Sequence, residues 1–143
     1  MKLSTRSRYG LRAMVFIARN TAQVVSSEMI AEGEGLSKKY LDRILNRLRK
    51  SGLLRSAKGQ GGGYVLSRPA EQIRTDEILA ALEGSLCLVA CVDDPSKCEK
   101  SSDCRTRKVW SRIASVVNES LRCISLRQLA EGEDEAGRMK AKG

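Results

Sequence analysis

A mainly α-helical fold with one small β-hairpin is the class that this sequence predicts. Apolar residues recur at helical spacing in five stretches, and two short strand-like runs, Leu53 to Ala57 and Gly63 to Ser67, flank the glycine-rich Lys58-Gly59-Gln60-Gly61-Gly62. The length of 143 residues suits one modest domain or a small domain with an extension. With only 3% aromatic residues the chain has few large side chains for a core, so pairing with a second copy would add much to it.

The first helix runs from Arg6 to Asn20, where Gly10, Met14, Ile17 and Ala18 form one stripe and Arg6, Arg12 and Arg19 are left for solvent or phosphate. A second, short helix starts after Ser26 or Ser27, holds Met29, Ile30 and Ala31, and stops at Gly33 and Gly35. Ser37 is a good N-cap for a third helix, in which Tyr40, Leu41, Ile44, Leu45 and Leu48 make the buried face and Gly52 marks the end. The opposite face carries Lys38, Lys39, Asp42, Arg43, Asn46 and Arg47, polar and basic as a groove-reading helix requires. Alternating Gly59, Gly61 and Gly63 could be read as a phosphate-cradling loop, but neither the Lys-Ser/Thr ending nor a following helix is present. Three helices and a glycine-tipped hairpin make a winged helix-turn-helix, whose third helix enters the major groove and whose wing reaches backbone or minor groove. A small helical domain with an incidental hairpin is the competing reading.

Beyond the turn at Pro69, Thr75 is placed to cap a helix carrying Ile78, Leu79 and Leu82 and closed by Gly84. A cysteine-bearing segment comes next, then the longest periodic stretch, from about Arg105 to Arg122. Its stripe of Val109, Trp110, Ile113, Val116, Val117 and Leu121 is wider than a small neutral region covers alone, which marks a dimerisation helix. Packing of that stripe on the Ile78 helix is the alternative. The expected organisation is a DNA-binding head over 1–68, a connecting helix over 69–85, a cysteine loop over 86–104, a dimerisation helix and short final helix over 105–130, and a mobile tail over 131–143.

Positive charge is confined to one half. Up to Arg68 there are 14 Lys/Arg against 4 Asp/Glu, and the remainder has 12 against 13, so the net charge of +9 comes from a head of +10. A compact basic domain beside a neutral one implies a polyanionic partner. Nucleic acid fits better than a membrane surface, because no long basic amphipathic stretch stands out; charge that serves only solubility is the plainer alternative. The start, Met1-Lys2-Leu3-Ser4-Thr5-Arg6, is too polar for a signal peptide, and the apolar runs Ala13 to Ala18 and Leu86 to Val92 fall far short of a membrane span. A cytoplasmic protein without membrane contact is expected. In that compartment five cysteines argue for metal ligation or thiol chemistry rather than structural disulfides.

Cys91, Cys98 and Cys104 lie within fourteen residues, in a stretch that includes Asp93, Asp94, Pro95 and Ser96, and the chain has no histidine. Three thiolates so close in sequence need little folding to converge on one soft metal centre. They suit a cubane cluster with one iron open or weakly held, 4Fe-4S before 2Fe-2S, or a zinc with a fourth oxygen ligand from Asp93, Asp94 or Asp103. Thiols holding no metal are the alternative. Cys87, the less favoured candidate for a fourth ligand, lies in an apolar run and reads as packed, and Cys123, near the end of the long helix, as a small buried apolar group.

The opening Lys2-Leu3-Ser4-Thr5-Arg6-Ser7-Arg8-Tyr9-Gly10, the segment Leu36-Ser37-Lys38-Lys39-Tyr40-Leu41-Asp42-Arg43-Ile44-Leu45 and the wing Lys58-Gly59-Gln60-Gly61-Gly62-Gly63-Tyr64-Val65-Leu66 resemble the Rrf2 family of bacterial transcription regulators. The resemblance covers roughly residues 1 to 130 and is most specific in the wing. It implies a homodimeric winged-helix protein. Several members bind an iron-sulfur cluster through three cysteines placed where Cys91, Cys98 and Cys104 stand, and others, regulators of cysteine metabolism, hold no cluster. Two departures matter. Where the iron-sulfur biogenesis members have a ligand histidine three residues after the third cysteine, this chain has Arg107. Where the nitric-oxide sensors draw a carboxylate from near the N-terminus of the partner subunit, it has Arg6 and Arg8. The fourth ligand must differ. The cysteines are separated by six and then five residues, one away from an even five-and-five arrangement, and the pattern looks most like the three-cysteine iron regulators of the family.

These readings combine into a homodimeric regulator, of repressor type, that binds a roughly palindromic double-stranded DNA site and senses iron, redox state or nitric oxide through its cluster. Lys38, Lys39, Arg43, Arg49 and Lys58 are expected to reach phosphate or guanine, while Ser37, Tyr40 and Asp42 select among bases, a carboxylate being able to accept from cytosine N4. Gly61 and Gly62 let the wing backbone come close to DNA, and Val109, Trp110, Ile113, Val117 and Leu121 join the two copies. No catalytic residue is expected. The alternatives are a metal-free regulator answering a metabolite or a partner enzyme, and a small iron-sulfur electron carrier, which leaves the basic head unexplained.

Overall fold

The computed structural model describes residues 3–132. Its elements run α1 (Thr5–Arg19), α2 (Ser27–Glu34), α3 (Lys38–Lys50), β1 (Leu54–Ala57), β2 (Gly63–Leu66), α4 (Thr75–Glu83), α5 (Ala90–Asp93), α6 (Arg105–Arg122) and α7 (Leu126–Glu131), with single 3-10 turns at Ala70–Gln72 and Pro95–Lys97. The expected fold class is the one observed: helices with a single antiparallel hairpin, registered Leu54 to Leu66 and Ala57 to Gly63. The expected tail falls almost wholly outside the described residues. No described helix is long and apolar enough to cross a membrane.

Local chemistry sets the first three helices. The Ser4 hydroxyl accepts from the Ser7 backbone N–H at 3.3 Å to start α1, and Ser26 does the same for Met29 at 3.2 Å to start α2. Gly35, in the left-handed region at φ 64°, ends α2. On α1, Ser7, Gly10, Ala13, Met14 and Ile17 are buried; Ala18 is only half-buried. On α3, Leu41, Ile44, Leu45 and Leu48 are buried, whereas Tyr40 sits half-exposed at the rim of the core. Ser37 occupies the N-cap position of α3 but makes no capping hydrogen bond with its side chain.

The same core takes in Ile73, Ile78 and Leu82 from around α4 and Leu126 from α7. Gly10 makes the close approach of α1 and α4 possible, because a Cβ there would lie 2.3 Å from Leu82 Cδ1. Thr75 is not the cap of α4 but its first residue. Its hydroxyl instead donates to the Ile124 carbonyl at 2.9 Å, and the Glu77 carboxylate accepts from the Arg74 N–H at 2.9 Å. Around this point the chain closes on itself: Thr75 N donates to Ile124 O at 2.9 Å and Leu126 N to Ile73 O at 2.8 Å, joining segments about fifty residues apart.

The start of α1 is fastened to the end of α4 by Glu83. Its carboxylate accepts from the Ser4 N–H at 2.9 Å, from the Ser7 hydroxyl at 2.6 Å and from the Ser4 hydroxyl, with the Arg6 guanidinium 3.7 Å away. The hydroxyls of Ser4 and Ser7 hold this carboxyl below the usual glutamate range. A carboxylate whose folded pKa is depressed stabilises the fold above its ordinary value of about 4.3, and the contribution fades as pH falls through the lowered value. Glu83→Gln should therefore melt at a lower temperature than wild type at neutral pH, with the difference shrinking in acid below that value. Thermal melts of both proteins from neutral pH down to strong acid check this; a gap that stays constant would show that ionisation of Glu83 contributes nothing.

Candidate nucleic-acid interface and cysteine segment

The apolar spacing of α3 buries one face and leaves the other to solvent, so Lys38, Lys39, Arg43 and Arg49 are exposed together with Ser37. Not all of that charge is free. Lys38 Nζ lies 3.3 Å from Glu28 Oε1 and 3.2 Å from Asp42 Oδ2, and the Asp42 and Glu28 carboxylates raise its pKa. Arg49 donates to Asn46 Oδ1 at 2.9 Å. Arg47 is exposed, as expected, and also donates to the Ala81 carbonyl on α4 at 3.0 Å. Among the described residues Lys39, Arg43 and Lys58 have no polar partner. Tyr40 meets Tyr9 edge to face, ring centroids 6.1 Å apart.

The wing is built as expected, with Gly61 at φ 82° and Gly62 at φ 68° in the left-handed region that glycine reaches without strain. The base of the wing was not legible in the sequence. Val25 pairs with Tyr64 through two backbone hydrogen bonds of 3.1 and 2.8 Å, so the segment before α2 lies along β2 as a third backbone. A Cβ on Gly63 would fall 2.6 Å from the Val25 carbonyl oxygen. A cleft of about 350 Å³ lies between the wing and the starts of α2 and α3, lined by Ser27, Glu28, Lys38, Ser56, Gly62 and Tyr64 among others.

The long helix keeps its apolar stripe out of the protomer. Only Ala114 of α6 is buried, while Val109 is 55%, Trp110 38%, Ile113 37% and Val116 60% exposed; Val117 and Leu121 are half-buried. Packing on α4 thus uses the narrow Ala114 side of α6. These percentages decide against the stripe being spent on the Ile78 helix.

Between α4 and α6 the cysteine segment forms short turns rather than an open loop. Cys91 lies in α5, Cys98 follows the 3-10 turn, and Cys104 occupies the N-cap position of α6. All three are half-exposed and unpaired. Cys104 Sγ is 3.2 Å from the Thr106 hydroxyl, which, with the backbone N–H of Arg107, lowers the thiol's pKa. Arg107 Nε donates to the Cys91 carbonyl at 3.0 Å and so ties α5 to α6. The Asp93 carboxylate beside Cys87 pushes the thiol's pKa up, which, with partial burial, disfavours the thiolate. Cys123 is exposed, contrary to expectation, because it stands at the C-cap where α6 leaves its only packed face. By type and number, three unpaired thiols suit a soft metal. Their arrangement does not yet supply a site, since no group of three or more His, Cys, Asp or Glu among the described residues is drawn together to hold an ion.

This fold has close counterparts among known proteins. Two solved structures align over nearly the whole chain: CymR, the global cysteine regulator of B. subtilis, with a TM-score of 0.77, 34% identity and coverage of 94% of this chain and 99% of that one, and IscR of T. potens, with a TM-score of 0.76, 34% identity and coverage of 95% and 90%. Helices, wing and relatives together define a winged-helix transcription regulator. A family profile for Rrf2, described as iron-dependent transcriptional regulator, matches residues 3–132, and the chain belongs to the Rrf2 family. Protein rrf2 of Nitratidesulfovibrio vulgaris is 38% identical over 130 residues, covering 90% of this chain and 87% of its own length. The HTH-type transcriptional regulator IscR of Xenorhabdus nematophila is 32% identical over 135 residues, covering 94% and 82%.

The wing base generates a direct test. A methyl group at position 63 meets backbone, which cannot rotate away, so Gly63→Ala should cost about 1–3 kcal/mol, the usual penalty for overpacking. Urea denaturation measures it, and a stability equal to wild type would show that the wing shifts freely on Val25.

Proposed function

We propose that two copies of this chain pair through α6 and grip a roughly palindromic double-stranded DNA site in the cytoplasm, and that Cys91, Cys98 and Cys104 hold an iron-sulfur cluster, 4Fe-4S before 2Fe-2S, that tunes this grip to iron, redox state or nitric oxide. The observation that carries the reading is the exposed basic face of α3 beside a glycine-tipped wing, with Lys39, Arg43 and Lys58 free of polar partners among the described residues. Lys38, Lys39, Arg43, Arg49 and Lys58 would reach phosphate or guanine, and Ser37, Tyr40 and Asp42 would face base edges, with Gly61 and Gly62 bringing the wing backbone near. The stripe of Val109, Trp110, Ile113, Val117 and Leu121 supports the dimer, because four large side chains on α6 are left in water and a pair of heads spans successive major grooves.

Support for the cluster is of three kinds: three unpaired thiols on one short segment, a family profile described as iron-dependent, and similarity to IscR. A bound cluster would supply an iron site open to oxygen, nitric oxide or iron loss. The chain's own part is mechanical. Cys104 opens α6, and Arg107 in its first turn holds the Cys91 carbonyl, so any rearrangement of the segment acts on the start of α6. A metal-free regulator is the second reading, favoured by the unconverged cysteines and by the likeness to CymR.

Purification without oxygen, followed by iron and sulfide analysis and a DNA-shift assay, separates the readings: brown protein that shifts DNA supports the first, colourless protein that shifts DNA the second, and brown protein that shifts none an electron carrier. Serine at Cys91, Cys98 or Cys104 should abolish the visible absorbance, since two thiolates anchor a cubane poorly, while serine at Cys87 or Cys123 should preserve it. Wild-type iron content in the Cys98 variant would remove that residue from the ligand set. Placing aspartate at Ile113 or Val117 should yield monomers in sedimentation, and a dimer that persists would place the interface elsewhere.

A further inference from the structure

The ion-paired trio at the start of the recognition helix is more than a surface decoration. Asp42 and Lys38 are four residues apart on α3, an ordinary pairing along one helix. Glu28 is different: it reaches across from α2 to Lys38 at 3.3 Å, and both line the cleft between wing and recognition helix. Three charged groups there carry two negative charges against one positive, in a head whose net charge is +10. Glu28 also stands in the first turn of α2, beside N–H groups that would otherwise attract an anion. Its carboxylate occupies the kind of position a DNA phosphate would seek.

Resting on the DNA-binding reading above, we infer that Glu28 is a specificity-determining residue, a built-in counter-anion that withholds Lys38 from phosphates of arbitrary DNA. Lys38 becomes available only where other contacts bring a phosphate close enough to displace both Glu28 and Asp42, which holds Lys38 at 3.2 Å along its own helix. Non-specific binding is almost wholly electrostatic, so it suffers the full effect, whereas a correct site compensates through base contacts. The ion pair itself is exposed, with side chains 50% and 58% accessible, so it contributes little to folding and its removal leaves the head intact.

The test measures affinity for random-sequence DNA and for a selected site, across a salt series, in wild type, Glu28→Gln, Lys38→Met and the double variant. Glu28→Gln should tighten binding to random DNA by about two- to fivefold per head, the range expected of one exposed charge pair. It should also steepen the salt slope, by at most about 0.9 per head because Asp42 still pairs with Lys38. The ratio of specific to random affinity should fall. In the Lys38→Met background Glu28→Gln should change none of these, which separates release of Lys38 from a simple gain in net charge. An unchanged slope in Glu28→Gln, or the same gain with Lys38 absent, overturns the inference while leaving DNA binding in place. Wild-type protein that shows no salt-dependent DNA binding at all overturns the DNA-binding reading, and this inference with it.

Discussion

The backbone crossing between Ile73–Thr75 and Ile124–Leu126 is the constraint on which the architecture rests. It lodges α7 against α1 and brings the chain, after its excursion through the cysteine segment and α6, back to the foot of α4. The other end of α4 is held to the start of α1 by Glu83. Between these two fastenings α4 acts as a fixed base. A helix of eighteen residues, about 27 Å long, packs on this base, which is half its length, and buries only Ala114. The uncovered stripe follows from that geometry as much as from the apolar residues themselves.

The charge of the head is more finely divided than its total suggests. Arg12 pairs with Glu34 at 2.7 Å and Arg68 with Glu77 at 2.7 Å, so two of its cations serve to hold helices and wing base in place. Arg47 joins the recognition helix to α4 through the Ala81 carbonyl. What is left for a polyanion includes Lys39 and Arg43 on α3, Lys58 at the wing tip, and the exposed Arg8, Arg19 and Arg55. That same Arg47 link, with α4 resting on α6, gives a continuous packed route from the cysteine segment to the recognition helix.

Features set by neighbouring residues were legible in the sequence. The bounds of α1, α3, α6 and the wing strands agree with the expected ones to within a residue or so, because Ser4, Gly52, Gly61 and the apolar spacing act locally. Features made by distant segments were not. Nothing in the run Ser26-Ser27-Glu28 indicates that Glu28 meets a lysine ten residues on; that depends on the angle between two helices. Thr75 was misassigned for a like reason, its hydroxyl being claimed by a carbonyl forty-nine residues away rather than by its own helix. Cys123 looked buried because helical periodicity puts it near the apolar stripe, but the stripe itself faces outward. The cysteine triad could be found as a set from spacing alone; its arrangement in space depends on turns that spacing does not dictate.

The wing's attachment has a bearing on how such a protein can diverge. Its base is held by backbone hydrogen bonds to Val25 and by the bare α-carbon of Gly63, and its bend by the conformations of Gly61 and Gly62. Lys58 and Gln60 at the tip are exposed and take no part in that scaffold. Selection can therefore exchange the tip side chains without refolding cost, so that descendants of one regulator vary at the tip while the glycines beneath stay unchanged.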